Sequence, residues 1–318
     1  LEVYSVIEPK PFVNAKKDNP CPICGKTSWC GFNDEIAVCM RVPSDREVGN
    51  GGWLHKLKDY NIIPNYNPPK PNPTVKRKPD RFLDRVYREF ISQLTLSAEH
   101  KENLLNRGMT EKEIAAGLYR STPESKYVDA LSKKYNLYGV PGFFKEGGKW
   151  KCVATQGMLI PVLNELSQVV GFQIRLDNPN KNKKYVWFSS SLMGGSSPGP
   201  RIHVARPSKV RHPGLVWITE GPLKANISAE RLGIVMLGIP GVNCWKHALP
   251  VLEHLNANRV VVAYDSDYRQ KEQVRIHARA LINKVKEKYK TGVALWHEYK
   301  GLDDALIAQA EIKVKLVS

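Results

Sequence analysis

From residue 213 onward, short apolar runs rich in β-branched residues alternate with helical patterns, and this alternation constrains the fold more than any other feature of the chain. Strands are expected at 215–219, 234–237, 259–264 and 292–297, and helices at 222–232, 245–256, 270–289 and 302–310. Within 270–289, Val274, Ala278, Leu281 and Val285 form one apolar stripe. Such β-α alternation predicts an α/β unit, a parallel sheet with helices on both faces. Parallel sheets present ligand-binding side chains beyond the carboxyl ends of their strands. Acidic groups sit there: Thr219-Glu220-Gly221, Asp265-Ser266-Asp267 and Gly301-Leu302-Asp303-Asp304. Glu220, Asp265 and Asp267, with Asp303 or Asp304, are therefore expected to converge.

Convergent carboxylates in a basic chain point to a bound divalent metal. Lys plus Arg total 48 against 31 Asp plus Glu, a net charge of +17. That excess favours a polyanionic partner, because phosphate neutralisation releases counterions. The basic residues are not gathered on one amphipathic helix, which argues against a membrane surface. No apolar run reaches the ~18 residues that a transmembrane helix requires. The start, Leu1-Glu2-Val3, does not resemble a signal peptide, and its lack of an initiating Met fits a processed product or a fragment.

Four of the six cysteines lie between positions 21 and 39. Clustering of this kind favours metal over disulfides, and hence a reducing, cytoplasmic setting. Cys21-Pro-Ile-Cys24-Gly25 is a zinc-knuckle pattern: two thiolates reach one ion from a tight turn that Gly25 permits. Cys39 follows Ile36-Ala-Val38, as on the second strand of a hairpin. The fourth ligand is His55 or Cys30; His55 is preferred, because Cys30 follows Trp29 and can face the hairpin core. Residues 1–60 are thus expected to be a small zinc-stabilised β domain, with Lys26, Arg41, Arg46, Lys56 and Lys58 available to phosphates.

Residues 61–79 carry six prolines together with Lys70, Lys76, Arg77 and Lys78, which predicts a semi-rigid basic linker. Residues 80–150 open with helices. Phe82, Val86 and Phe90 recur at four-residue spacing, Ser97 starts a second helix, and Thr110-Glu111-Lys112-Glu113 is a capping-box pattern. Arg107-Gly108 separates the last two. Gly147-Gly148-Lys149 lacks the spacing and hydroxyl of a nucleotide-hydrolysing loop. Residues 151–212 are expected to be β-rich, with strands at 158–162, 169–176 and 184–188, and Arg175, Lys181, Lys183 and Lys184 concentrate positive charge there.

Glu220-Gly221, Asp265-Ser266-Asp267 and Asp303-Asp304 resemble the TOPRIM fold shared by DnaG-type primases, topoisomerases and some nucleases. Upstream, Gly157-Met-Leu-Ile-Pro161, Gly171-Phe-Gln-Ile-Arg175 and Lys184-Tyr185 with Ser189-Ser190 resemble, in order, the basic half of the DnaG-type RNA polymerase domain. A zinc module on a linker is also that family's arrangement, and the match looks closest to primases of phages, plasmids and other mobile elements. The resemblance implies a TOPRIM domain at 213–318, behind a basic α+β part and a zinc-ribbon-like domain. It implies primer synthesis from nucleoside triphosphates on single-stranded DNA, with a replicative helicase or polymerase as partner. Asp265, Asp267 and Asp303 or Asp304 would hold Mg²⁺ or Mn²⁺, and Glu220 would act as acid/base or ligand. Arg175, Lys183, Lys184 and Lys224 would bind nucleotide or template. A metal-dependent nuclease and a non-catalytic DNA-binding module are the alternatives. The sequence departs from the family at Lys224, where an acidic residue is common, and in the Leu-Asp-Asp form of the third acidic group.

Overall fold

The structure, a computed structural model, describes residues 12–48, 52–57, 75–123, 127–180, 183–266 and 272–317. The chain divides into two compact units, 1–69 and 70–318. Most of the proline-rich stretch, and Asp267 with Lys181, lie outside the described residues.

The first unit is an antiparallel sheet of five short strands, β1 (Val13–Asn14), β2 (Gly31–Phe32), β3 (Ile36–Cys39), β4 (Glu47–Val48) and β5 (Gly52–Lys56), in the order β1-β2-β3-β5-β4. Asn33 turns β2 into β3 by accepting the backbone N–H groups of Glu35 (3.0 Å) and Ile36 (2.9 Å), an Asx turn. The buried cluster here is Ala15, Cys21, Cys30 and Cys39, with no large aliphatic side chain. So little apolar surface cannot offset the chain entropy of folding unaided.

The second unit begins with α1 (Asp80–Ser92), α2 (Ala98–Asn106), α3 (Glu111–Ala116), β6 (Arg120–Ser121) and α4 (Tyr127–Lys134). The capping box at Thr110 forms as the sequence predicts, with Glu113 reaching back to the Thr110 N–H at 2.7 Å. There follow β7 (Phe143–Glu146), β8 (Lys149–Cys152), β9 (Gly157–Leu163), β10 (Val169–Asn180) and β11 (Lys183–Trp187). An antiparallel sheet, β11-β10-β9-β6, carries α1 on one face. Leu83, Val86, Tyr87, Phe90 and Ile91 of α1 are buried against Phe143, Phe172, Ile174 and Phe188. The rings of Phe90, Phe143, Phe172 and Phe188 pack edge-on or stacked with centroids 5.1–5.9 Å apart. The opposite face meets α2, α3 and a helix of the next sheet: Leu104, Ile114, Met158, Ile160, Leu223 and Ile227 share one cluster.

The remaining elements are β12 (His203–Ala205), β13 (Leu215–Glu220), α5 (Pro222–Leu232), β14 (Val235–Ile239), α6 (Ala248–His254), β15 (Arg259–Val262), α7 (Glu272–Lys286), β16 (Lys290–Leu295), α8 (Leu302–Ile307) and β17 (Lys313–Val317). They build a six-stranded sheet in the order β12-β14-β13-β15-β16-β17. The four inner strands are parallel, as expected. Both edge strands run antiparallel and make the sheet mixed. Alternation along β13 explains the two layers. Val216 and Ile218 face α6 and α7, where Leu252, Ala278 and Leu281 cover them, whereas Trp217 faces Ala225 and Ala229 of α5 and Ala305 of α8.

Candidate active site

Glu220 is the last residue of β13, and Gly221 turns the chain into α5 with φ +76°, a left-handed conformation that disfavours a side chain. Asp265 follows β15. The Ser266 N–H donates to the Lys300 carbonyl at 2.9 Å, so its turn is tied to the one that starts α8. Gly301, Asp303 and Asp304 lie in that second turn. The sheet therefore brings the Asp265 turn to the start of α8, beyond the carboxyl end of β13.

The two consecutive aspartates differ. Asp303 is buried at 1% exposure, while Asp304 is exposed. A Cβ built on Gly301 would collide with Asp303 Oδ1, approach Asp304 Oδ2 to 3.1 Å and come within 3.4 Å of Lys224 Cε. Thus both carboxylates and the Lys224 stem surround the same bare backbone position.

Two cations enter this group. Lys224, one turn into α5, pairs through Nζ with Asp265 Oδ1, and both side chains are mostly buried. Burial alone would lower the Lys224 pKa; Asp265, Asp303 and Glu220 outweigh it and hold the ammonium above the ordinary lysine range. Arg107, in the turn between α2 and α3, pairs with Asp303 Oδ2. Asp303 Oδ1 remains buried without a hydrogen-bond partner. Arg107 was not singled out by the sequence, because its partner is 196 residues away and its own surroundings show only a helix break. The α2–α3 turn is fixed on this sheet by Arg231 of α5, which donates to Glu113 Oε1 (2.6 Å) and to the Gly108 carbonyl.

Strand register sorts the basic residues. Arg175 lies opposite Tyr185 in β10–β11, so Lys184, one residue away, projects from the other face of that sheet. Arg175 shares its face with Met158, which packs towards α5, and it donates to Asn103 Oδ1 of α2. Lys184 is exposed on the α1 side. The structure thus does not bring Arg175 and Lys184 together as one clamp. Lys183 begins β11, but its side chain lies outside the described residues.

In the first unit, Cys21, Cys24, Cys30 and Cys39 gather with all four sulfurs within 4.8 Å of one another. Of the two candidates for the fourth ligand, His55 and Cys30, the structure gathers Cys30 with the other three cysteines and not the preferred His55. Gly31 pairs with Val38, so the next step of the hairpin sets Cys30 beside Cys39. His55 instead pairs with Ala37, two residues farther along β3, and its Nε2 lies 2.9 Å from the Val42 carbonyl. Backbone N–H groups of Met40, Arg41 and Val42 donate to sulfurs at 3.3–3.4 Å, and Arg41 Nη1 reaches the Cys30 sulfur at 3.3 Å. Although burial opposes it, the Lys26 backbone and neighbouring side chains draw the Cys24 thiol down to about 7; burial pushes Cys30 up to about 12. Four sulfurs with N–H donors around them match a tetrahedral zinc-thiolate centre. Among the described residues, the acidic side chains form no comparable group.

A family model described as "Domain of unknown function (DUF3854)" matches residues 209–313, which contain the acidic group. No curated protein matches the chain. Solved structures do. The zinc-binding and RNA polymerase domains of Aquifex aeolicus primase are 15% identical over 74% of this chain, with a TM-score of 0.55. This chain spans 62% of the Aquifex chain. The RNA polymerase domain of Mycobacterium tuberculosis primase DnaG, solved with a double-stranded DNA oligomer bearing a 6-nucleotide overhang, is 15% identical, covers 74% of this chain and 82% of its own, and has a TM-score of 0.53. A DNA primase domain from Pseudomonas aeruginosa is 11% identical over 72% of this chain and 75% of its own, with a TM-score of 0.52. The fold is therefore that of DnaG-type primase catalytic cores.

Proposed function

We propose that the chain is a primase-type nucleotidyltransferase that makes short primers on single-stranded DNA. The observation that carries this reading is the placement of Glu220 and Asp265 at the carboxyl ends of the parallel strands β13 and β15, and of Asp303 and Asp304 at the start of α8, within a primase-type fold. Residues 80–150 and 151–212 would support template and nucleotide, and 213–318 would be a TOPRIM domain performing the transfer. Arg175, on the face towards α5, would bind phosphate, and Lys183 and Lys184 would bind template backbone. In the reaction, a 3′-hydroxyl oxygen bonds to the α-phosphorus of a nucleoside triphosphate, the bond to the β-phosphate oxygen breaks, and pyrophosphate leaves with those electrons. The hydroxyl proton passes to a base, for which Glu220 is the candidate.

Zinc fits the four cysteines, Cys21, Cys24, Cys30 and Cys39, and would staple the first unit, which would then contact template through its basic residues. For a catalytic ion the fit rests on the buried, unpartnered Asp303 Oδ1 and the exposed Asp304 beside it. Mg²⁺ or Mn²⁺ would be held by these with Asp265, and with Asp267 outside the described residues; it would supply charge neutralisation at the phosphates. Among the described residues no helix is long and apolar enough to cross a membrane. A cytoplasmic replication role, with a helicase or polymerase as partner, is part of the proposal.

Primer synthesis on random single-stranded templates, with ribo- and deoxynucleotides and either metal, tests it. Product should form with the wild-type chain and be abolished by Asp265→Asn. Equal synthesis by both proteins would refute the assignment, and shortening of a labelled template without nucleotides would point to a nuclease. A second reading has one observation in its favour: Lys224 and Arg107 already neutralise two of the carboxylates, as in a site that binds primed DNA without catalysis. Tight DNA binding with no synthesis under any metal would establish it.

A further inference from the structure

Two residues of β10 meet one face of α2. His100 Nε2 lies 2.7 Å from Asp177 Oδ1, and its Nδ1 lies 2.7 Å from Ser121 Oγ of β6. Three residues on, and so on the same side of the helix, Asn103 Oδ1 accepts a hydrogen bond from Arg175 Nη1. The next residue, Leu104, is fully buried with Met158 and Ile160 of β9, which seats the helix on the sheet. One turn beyond Asn103, Arg107 meets Asp303 Oδ2. A turn advances ~5.4 Å. The amide that holds Arg175 and the guanidinium that meets Asp303 therefore stand on neighbouring turns of one short, docked helix.

The residue type at 103 decides what Arg175 can do. An arginine side chain is long and rich in rotamers, so an unheld guanidinium samples many positions. A carboxylate at 103 would hold it but would also neutralise it. An amide oxygen holds it, uses one of its five N–H donors and leaves its charge intact. Among the described residues no carboxylate pairs with Arg175, which is half-buried. The backbone at this point is fixed as well: a Cβ on Gly157 would collide with the Arg175 carbonyl oxygen, so glycine lets β9 close on β10 there. A planar cation held at both ends, with free N–H donors and no counter-charge, suits a phosphate oxyanion.

We propose that Asn103 is a positioning residue: through its amide oxygen it aims Arg175 at the triphosphate of the incoming nucleotide and leaves the charge of that cation uncancelled. The inference rests on the reading of the second unit as a nucleotidyltransferase core. It gives α2 a part in nucleotide binding beyond its packing, with His100 and Leu104 fixing the helix and Asn103 fixing the guanidinium.

The test is a double-mutant cycle in the zinc-loaded full chain. The readout is the Kd of a nonhydrolysable nucleoside triphosphate with Mg²⁺, measured by titration calorimetry without template, with thermal melting as the check on folding. Arg175→Ala should weaken binding about tenfold. Asn103→Leu removes the acceptor at similar volume and raises helix propensity. It should weaken binding about fivefold alone and leave the Kd unchanged when Arg175→Ala is already present. Asn103→Asp keeps an acceptor but adds the cancelling charge, and should bind at least as weakly as Asn103→Leu. Equal losses from Asn103→Leu in both backgrounds would mark a merely structural residue and overturn the proposal, as would undiminished affinity in Asn103→Leu and Asn103→Asp. Undiminished affinity in Arg175→Ala would overturn it together with the phosphate role of Arg175. Primer synthesis is scored separately on the same preparations: the expected affinities with no primer formed would refute the proposed function and leave the positioning role standing.

Discussion

His203 makes the stability of the second unit depend on pH, in a direction the hydrogen bonds dictate. Its Nδ1 accepts the Leu163 N–H at 3.1 Å, so Nε2 carries the proton and donates to Asn226 Oδ1 at 2.8 Å. The Asn226 amide in turn donates to the Tyr119 hydroxyl at 2.8 Å. This chain joins β9, β12, α5 and the segment after α3. A second proton on Nδ1 would face an N–H donor inside a site only 1% exposed. Burial, only partly offset by Asn226, pushes the imidazole pKa down to about 4 from 6.5. The unfolded chain thus takes up a proton near pH 6.5 that the folded chain refuses until about pH 4, and stability falls as pH drops through that window. Between pH 7 and pH 5 the loss is about 2 kcal/mol, from 1.36 kcal/mol per pKa unit. Urea unfolding at the two pH values, compared between the wild-type chain and His203→Gln, isolates the contribution. The wild-type chain should lose about 2 kcal/mol more than the variant. An identical pH response, or an imidazole resonance titrating near the ordinary histidine value, would refute the reasoning.

Other outcomes follow from the same contacts. Gly301→Ala should fold normally, because φ −96° suits alanine, yet lower primer synthesis at least about tenfold by pushing the Asp303 and Asp304 carboxylates apart; thermal melting and a primer assay check both halves. Arg107→Met leaves Asp303 buried and unpaired, and should lower stability by about 2–4 kcal/mol in denaturant titration. Cys30→Ser should lose zinc, whereas His55→Ala should retain it, as elemental analysis of the purified chains will read. Binding to single-stranded DNA should weaken steeply as salt rises, with a smaller slope in Arg175→Ala, measured by fluorescence anisotropy.

Local patterns in the chain were enough to place most of the helices and the inner strands. Apolar spacing of 3.6 marks α1 and α7, β-branched runs mark β13 and β15, and both are properties of adjacent residues. The helix at 127–134 and the hairpin at 143–152 were not legible, because they are short and set between glycines and lysines. The strands at 203–205 and 313–317 were missed for another reason: as edge strands they gain their form by pairing with a neighbour.

The candidate site divides the same way. That Glu220, Asp265 and Asp303 stand near strand ends is written in the order of residues, as is the nearness of Cys21 to Cys24. Which oxygen is free, and which cation neutralises which carboxylate, are facts of tertiary structure. Cys30 displaces His55 because the β2–β3 register, set by the turn at Asn33, puts it next to Cys39. Lys184 parts from Arg175 because one residue of strand changes the face. Arg107 reaches Asp303 across 196 residues because the α2–α3 turn packs on α5. Sequence determines periodicity, and periodicity determines elements; the pairing of charges depends on distances that exist only once those elements are packed.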